Sequence, residues 1–344
     1  MKILVIQKKR IGDVLVSTVI FEALRQKFPN AELHYLVYPM SIAVVENSPF
    51  IDKLIILDSK TKKSFFGLLK FLFRLRSEKY DIVVDAYGKP NSVIMGWFSG
   101  AKKTITFEKK YSKILYSDVI QRRGKAETSA TLAIEHRMQL LEPLDIKFKA
   151  YQPKIFLKPS EIEAAKKYLI ANGINISVPI VMISAIGSKE TKTFPLKYMV
   201  EVLDEIAKKN VQILFNYIPN QKNLALELYE LCQPKTQSKI FIDVYENDLR
   251  KFIAITSLCK ALIGNEGGAT HIAKAVNVPT FIIFAIGILK ESWSIYENET
   301  TDVAVSVEDY FPDDAFNFET LTQKYKPELF VDKLRKFLDF NIKK

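Results

Sequence analysis

Residues 261–285 read ALIGNEGGATHIAKAVNVPTFIIFA, and this stretch decides the fold. Ala261, Leu262 and Ile263 end a buried strand, and the turn Gly264–Gly268 sets an amide and a carboxylate among three glycines, which permit positive φ and close backbone approach. A helix from about Ala269 to Val276 points its free N–H groups and positive dipole end back into that turn, an arrangement suited to a phosphate. Pro279 closes the connection, and Thr280–Ala285 is a second continuous apolar run, the pattern of a parallel strand covered on both faces. A glycine-rich βα turn that serves only the fold is the alternative reading.

The same unit recurs upstream. Lys2–Ile6, Leu33–Val37, Leu54–Leu57 and Ile82–Val84 read as strands separated by helical patterns, the first helix running from Val14 to about Lys27 before Pro29. Alternating βα units give a doubly wound parallel sheet, and ligands bind such sheets at the carboxyl ends of the strands. The loop Gln7–Asp13 therefore lies on a functional edge. Pro143–Pro159, polar and carrying three prolines, reads as a linker, after which strands at Pro179–Ser184 and Val211–Phe215 and helices at Ser160–Asn172, Asn220–Leu231 and Asp248–Ser257 resume the alternation. The expected architecture is α/β: two Rossmann-like doubly wound domains, 1–150 and 151–322, facing a central cleft, with a final helix in 323–344. The acidic segment Asp302–Asp314 reads as a loop.

Composition narrows the class. The chain has 344 residues, 48% apolar and 26% charged, as a soluble globular protein does, and its two cysteines cannot build a disulfide framework, so a reducing, cytoplasmic setting is expected. The start MKILVIQKKRIGD has too short an apolar run for a signal peptide, and no run is long enough to span a membrane. The formal net charge is +11, and residues 1–150 hold 26 Lys and Arg against 15 Asp and Glu, so 26 − 15 accounts for the whole excess. An anionic partner for the first half is implied: a phosphorylated acceptor, an acidic membrane surface or a nucleic acid. Lys102–Lys125, with Lys109, Lys110, Lys113, Arg122 and Arg123, reads as a mobile basic loop that meets it. For Lys60–Lys79, KTKKSFFGLLKFLFRLRSEK, two readings stay open: a crossover helix packed on the sheet, or an amphipathic helix with Phe65 and Phe66 in a bilayer interface.

Six segments together resemble a known family: IGDVLVSTVIFEALRQKFPNAEL, NSPFIDKLIIL, YDIVVDAYG, AIEHRMQLL, KTFPLKYMVEVLDEI and LRKFIAITSLCKALIGNEGGATHIAKAVNVP are similar to successive motifs of the heptosyltransferases of glycosyltransferase family 9. The resemblance runs from Met1 to about Ala285. It implies the glycosyltransferase B-type fold, with an anionic glycolipid acceptor bound by the first domain and a nucleotide-sugar donor, ADP-heptose-like, by the second, and the last helix returning to the first domain. It implies inverting transfer on lipopolysaccharide core, peripheral at the cytoplasmic face of the inner membrane. Direct displacement needs a carboxylate to take the acceptor's proton and cations to hold the leaving diphosphate.

By that resemblance Asp13 is the general base. Lys192 lies on the donor phosphates, which the turn and helix start at Gly267, Gly268, Thr270 and His271 also meet. Ser188, Gly264 and Asn265 belong to the same donor site, and Glu266 contacts donor sugar hydroxyls, while Arg10, Lys109, Lys110, Lys113, Arg122 and Arg123 meet the acceptor. No D-x-D tripeptide occurs, so neither a metal nor a cofactor is expected. Glu266 stands where the family usually has Asp, Gly267 where it has Ser or Thr, and Asn216–Tyr217 where two glycines are usual; these mark the donor sugar and nucleotide as the variable features. A dinucleotide enzyme would want G-x-G-x-x-G after the first strand, which QKKRIGDV lacks. A nucleic-acid binder would want more aromatic residues among Lys109–Lys125 than Tyr111 and Tyr116, so no nucleic-acid partner is expected. A family member that binds glycolipid or nucleotide without catalysis is the remaining alternative, opposed by the presence of Asp13 and Lys192.

Overall fold

In the computed structural model, which describes residues 1–312 and 318–342, the apolar runs become eleven strands in two parallel sheets. The first sheet comprises β1 (Lys2–Ile6), β2 (Glu32–Val37), β3 (Lys53–Ile56), β4 (Ile82–Asp85), β5 (Lys103–Phe107) and β6 (Asp118–Ile120), in the order β3-β2-β1-β4-β5-β6. The second comprises β7 (Ile180–Ser184), β8 (Gln212–Asn216), β9 (Ala261–Asn265), β10 (Thr280–Ile283) and β11 (Asp302–Val305), in the order β11-β10-β9-β7-β8. Both are doubly wound Rossmann-like orders, and in each the strand order reverses at one point, between β1 and β4 and between β7 and β9. Contacts divide the chain into Met1–Phe156 and Leu157–Lys344.

Strands β1, β7 and β9 are buried almost end to end, as continuous apolar runs under helices on both faces must be. The crossover helix Phe65–Ser77 packs Phe71 and Leu75 into the core of the first unit beside Leu4, Val83 and Met95. Each such side chain withdrawn from water contributes about 1.5–3 kcal/mol. The start of the linker region lies against the first unit, where Tyr151 donates to Gln26 and Lys154 pairs with Glu22.

Three expectations change. Lys102–Lys125 is not a loop: β5, a short helix Ser112–Leu115 and the edge strand β6 occupy it, and most of its lysines lie outside these elements, where the chain is exposed. Asp302–Val305 is edge strand β11 rather than loop; Asp313 and Asp314 lie outside the described residues. The first helix breaks into Ile11–Val16 and Val19–Lys27, because Ser17 donates to the Asp13 carbonyl at 2.8 Å and Thr18 to the Leu15 carbonyl at 2.7 Å, drawing the turn tight. The helix Val331–Asn341 buries Leu334, Phe337 and Leu338 in the core of the second unit and pairs Arg335 with Glu205 at 2.9 Å. Lys343 and Lys344 lie outside the described residues.

Candidate functional site

The carboxyl edge of the first sheet gathers charge at its reversal point. Asp13 sits in the first turn of Ile11–Val16, and the guanidinium of Arg137, from the helix Thr131–Gln139, donates to its Oδ1 at 2.8 Å. Arg137 is itself held by Ser17 Oγ at 3.2 Å and the Ala133 carbonyl at 3.0 Å. Among the described residues Asp13 Oδ2 has no hydrogen-bond partner, so the carboxylate is fixed through one oxygen and open at the other. Arg137 lies within the motif AIEHRMQLL but escaped the sequence reading, since nothing local ties it to a carboxylate 124 residues away.

Lys8 and Asp85 escaped it too. Lys8 follows β1 and is buried, its ammonium donating to Asn91 Oδ1 at 2.9 Å and lying 5.3 Å from the Tyr87 ring. Burial pushes it down to about 8, with Lys62 and Lys9 adding to the effect and the Asp85 carboxylate opposing it. Asp85, at the end of β4, accepts from the backbone N–H of Gly88 at 3.0 Å and of Tyr87 at 3.1 Å; burial pushes its carboxyl up to about 6 against those bonds. A charged residue at the end of, or within two residues of, a strand buried on both faces was the available signal.

The predicted acceptor cations do not share one fate. Arg10 (φ 63°), Lys109 and Lys110 are exposed. Lys113 pairs with Glu108 at 2.6 Å, Arg123 with Glu127 and Glu142 at 3.0 and 3.2 Å, and the Arg122 guanidinium stacks 4.0 Å from the Phe107 ring centre.

At the reversal point of the second sheet, Gly264 has φ +128°, and a Cβ there would lie 3.0 Å from the Ser184 carbonyl carbon with its oxygen nearer still. This glycine lets β9 and β7 approach. Asn265, grouped with the donor residues by sequence, braces the loop beside them. Its Nδ2 donates to the Ser184 and Ala185 carbonyls at 2.9 and 2.8 Å, its Oδ1 accepts from the Phe194 N–H at 2.6 Å, and it is buried. These bonds tie both ends of the loop that carries Ser188 and Lys192.

Gly267 is extended rather than left-handed, with open space where a side chain would stand, and Gly268 begins the helix Gly268–Ala275. The Thr270 hydroxyl donates to the Gly267 carbonyl at 2.7 Å and so closes the helix start. Glu266 and His271 lie 3.8 Å apart, and His271 meets Trp293 edge-on at 5.8 Å. Among the described residues the Lys192 ammonium has no ion-pair partner. A cavity of about 850 Å³ at the ends of β7, β8 and β10 is lined by Ser188, Lys189, Glu190, Gln221 and Tyr325 among others, but not by Lys192 or the glycine turn.

A doubly wound pair of this kind hosts many chemistries, so relatives decide the family. Residues 68–303 match the model of glycosyltransferase family 9 (heptosyltransferase). The chain belongs to glycosyltransferase family 9. Among family 9 relatives, lipopolysaccharide heptosyltransferase 1 of Campylobacter coli is 27% identical over 83% of this chain and 84% of its own length. The glycosyl transferase family 9 structure from Veillonella parvula superposes with a TM-score of 0.83 at 18% identity, over 98% and 97% of the two chains. The ADP-heptose lipopolysaccharide heptosyltransferase II structure from Escherichia coli gives 0.76 at 16%, over 98% of each. The architecture is thus the family 9 fold, the glycosyltransferase B-type arrangement of two Rossmann-like units, and the protein is a glycosyltransferase.

Proposed function

We propose that this glycosyltransferase moves heptose or a related sugar, with inversion and without a metal, from a nucleotide diphosphate donor to a lipopolysaccharide core or similar anionic glycolipid at the cytoplasmic face of the inner membrane. The observation that carries the mechanism is the Asp13 carboxylate, held by Arg137 through Oδ1 and open at Oδ2. An acceptor hydroxyl gives its proton to Oδ2 while its oxygen attacks the anomeric carbon from the face opposite the diphosphate. The bond from that carbon to the diphosphate oxygen breaks in the same displacement, which inverts the centre.

The departing charge is met by the Lys192 ammonium and by the free N–H groups of Gly268 and Ala269 at the start of their helix. Glu266, beside His271, is the group placed to take sugar hydroxyls. Support for a donor of the ADP-heptose kind comes from relatives that bear that name, and support for an anionic acceptor from a first unit that carries the chain's whole positive excess. The absence of a D-x-D tripeptide supports metal independence.

A thermal-shift screen of nucleotides and nucleotide-sugars tests the reading, because a donor must stabilise the fold it binds. An ADP-sugar should raise the melting temperature, and Lys192→Ala should weaken the diphosphate's affinity by about tenfold or more. No shift with any nucleotide-sugar would sink the reading.

A further inference from the structure

The first unit exposes an apolar surface that its fold does not need. The helix Phe65–Ser77 has two stripes: Leu68, Phe71, Leu72 and Leu75 face the core, while Phe66, Leu69 and Phe73 recur at the same helical spacing on the outside, flanked by Phe65. Phe65 is 76% exposed, Phe66 79% and Phe73 56%. The neighbouring helix Pro90–Phe98 buries Val93 and Met95 and turns Ile94 and Trp97 outward, with Trp97 52% exposed. The two helices are locked side by side: Phe73 meets Phe98 edge-on at 5.4 Å, and the Arg76 guanidinium lies 5.8 Å from the same ring. Scattered exposed apolar residues need no explanation, but a contiguous aromatic face on two packed helices marks a surface that meets something.

Its charge says what it meets. Between Ser59 and Ser77 the chain has six Lys or Arg and no Asp or Glu, and from Ala86 to Phe107 there is again no acid. The short helix Ser59–Lys63, capped by Asp58 accepting from Thr61, presents exposed Lys60, Lys62 and Lys63 next to the two phenylalanines. Lys62 reaches 5.5 Å from the Tyr38 ring beyond β2, so this basic tip borders the same carboxyl edge that holds Asp13. Another protein of ordinary composition would offer both signs of charge; a surface of aromatic residues ringed by one sign of charge fits an interface where apolar depth and negative headgroups occur together.

We infer that the aromatic face of helices 65–77 and 90–98, with the lysines of helix 59–63, docks the first unit on an anionic lipid bilayer. Phe65 and Phe66 enter the headgroup–acyl boundary, Trp97 lies at the headgroup level, and Lys60, Lys62 and Lys63 pair with anionic headgroups. The carboxyl edge of the first sheet is thereby presented to the membrane surface. This names the surface through which the transferase proposed above would reach a lipid-borne acceptor, and rests on that reading only for the acceptor.

The experiment is sedimentation of the full chain with vesicles of phosphatidylethanolamine and phosphatidylglycerol, compared with phosphatidylcholine alone, with far-UV dichroism of each variant. The wild type should bind the anionic vesicles, and less so as salt rises. Phe65→Ser combined with Phe66→Ser should lower the partition coefficient by about tenfold or more, and Lys62→Glu with Lys63→Glu should lower it and flatten the salt dependence. Ile170→Ser, which removes an exposed apolar residue of the second unit, should change nothing. Equal binding by the folded phenylalanine variant overturns the inference, as does indifference to headgroup charge or a dimer in analytical ultracentrifugation that this variant dissolves. Nucleotide-induced stabilisation, read on the same samples, separates the two proposals: vesicle binding without it supports the membrane surface and removes the nucleotide-sugar donor proposed above.

Discussion

Replacing Asn265 by alanine removes a brace, and the cost follows from its three bonds. The Phe194 N–H loses an acceptor at 2.6 Å, and the Ser184 and Ala185 carbonyls lose donors at 2.9 and 2.8 Å, all at a buried position. A buried donor left unpaired costs the upper part of a range of about 1–3 kcal/mol, while carbonyls tolerate loss better, so the sum is about 3–5 kcal/mol. That is a large share of a domain's usual stability. The sequence has two tryptophans, Trp97 in the first unit and Trp293 in the second, so in a Trp97→Phe background Trp293 emission reports urea unfolding of the second unit alone. The midpoint should fall accordingly, and nucleotide affinity with it, because the loop bearing Lys192 loses both tethers. Asn265→Asp adds a sign to the test. The carboxylate keeps the acceptor but turns lone pairs toward two carbonyls, and protonation restores one donor, so its deficit should shrink as pH falls. A loss for Asn265→Ala smaller than about 1 kcal/mol, with nucleotide binding intact, would refute the reasoning.

Asp13→Asn should cut turnover about a hundredfold or more while leaving donor affinity in place; wild-type turnover would remove Asp13 as the base. Gly264→Ala should cost at least about 2 kcal/mol, since φ +128° and the Ser184 carbonyl both oppose a side chain, whereas Gly267→Ala, extended and open, should be neutral by the same urea assay. Lys8 carries a pH dependence. Its folded value is about 8 against an ordinary 10.5, so between those limits the unfolded chain holds the extra proton, and stability climbs with pH by up to about 3 kcal/mol. Lys8→Met should be more stable than wild type at pH 7 and lack that alkaline climb; parallel profiles would show that Lys8 is not desolvated.

The sequence by itself determined whatever depends on neighbours along the chain. Apolar runs flanked by turns specify β1 to β4 and β7 to β10, because a strand covered on both faces must be apolar throughout. The glycine turn before residues 268–275 and the +11 excess in the first half are likewise local sums. Edge strands β6 and β11 were lost because one of their sides is uncovered and tolerates Asp118 and Asp302, and β5, KTITF, because its two threonines and Lys103 interrupt the apolar run although the strand lies inside the sheet. Only the tertiary structure decided which polar groups meet. Asp13 and Arg137 are joined across 124 residues, and Asn265 reaches partners 71 to 81 residues away, distances at which composition and periodicity carry no information. It also decided which phenylalanines of KTKKSFFGLLKFLFRLRSEK are core and which face outward. A helix with apolar residues on two sides has no unique inward face until the sheet takes one, and here it took Phe71 and left Phe65 and Phe66 to the outside.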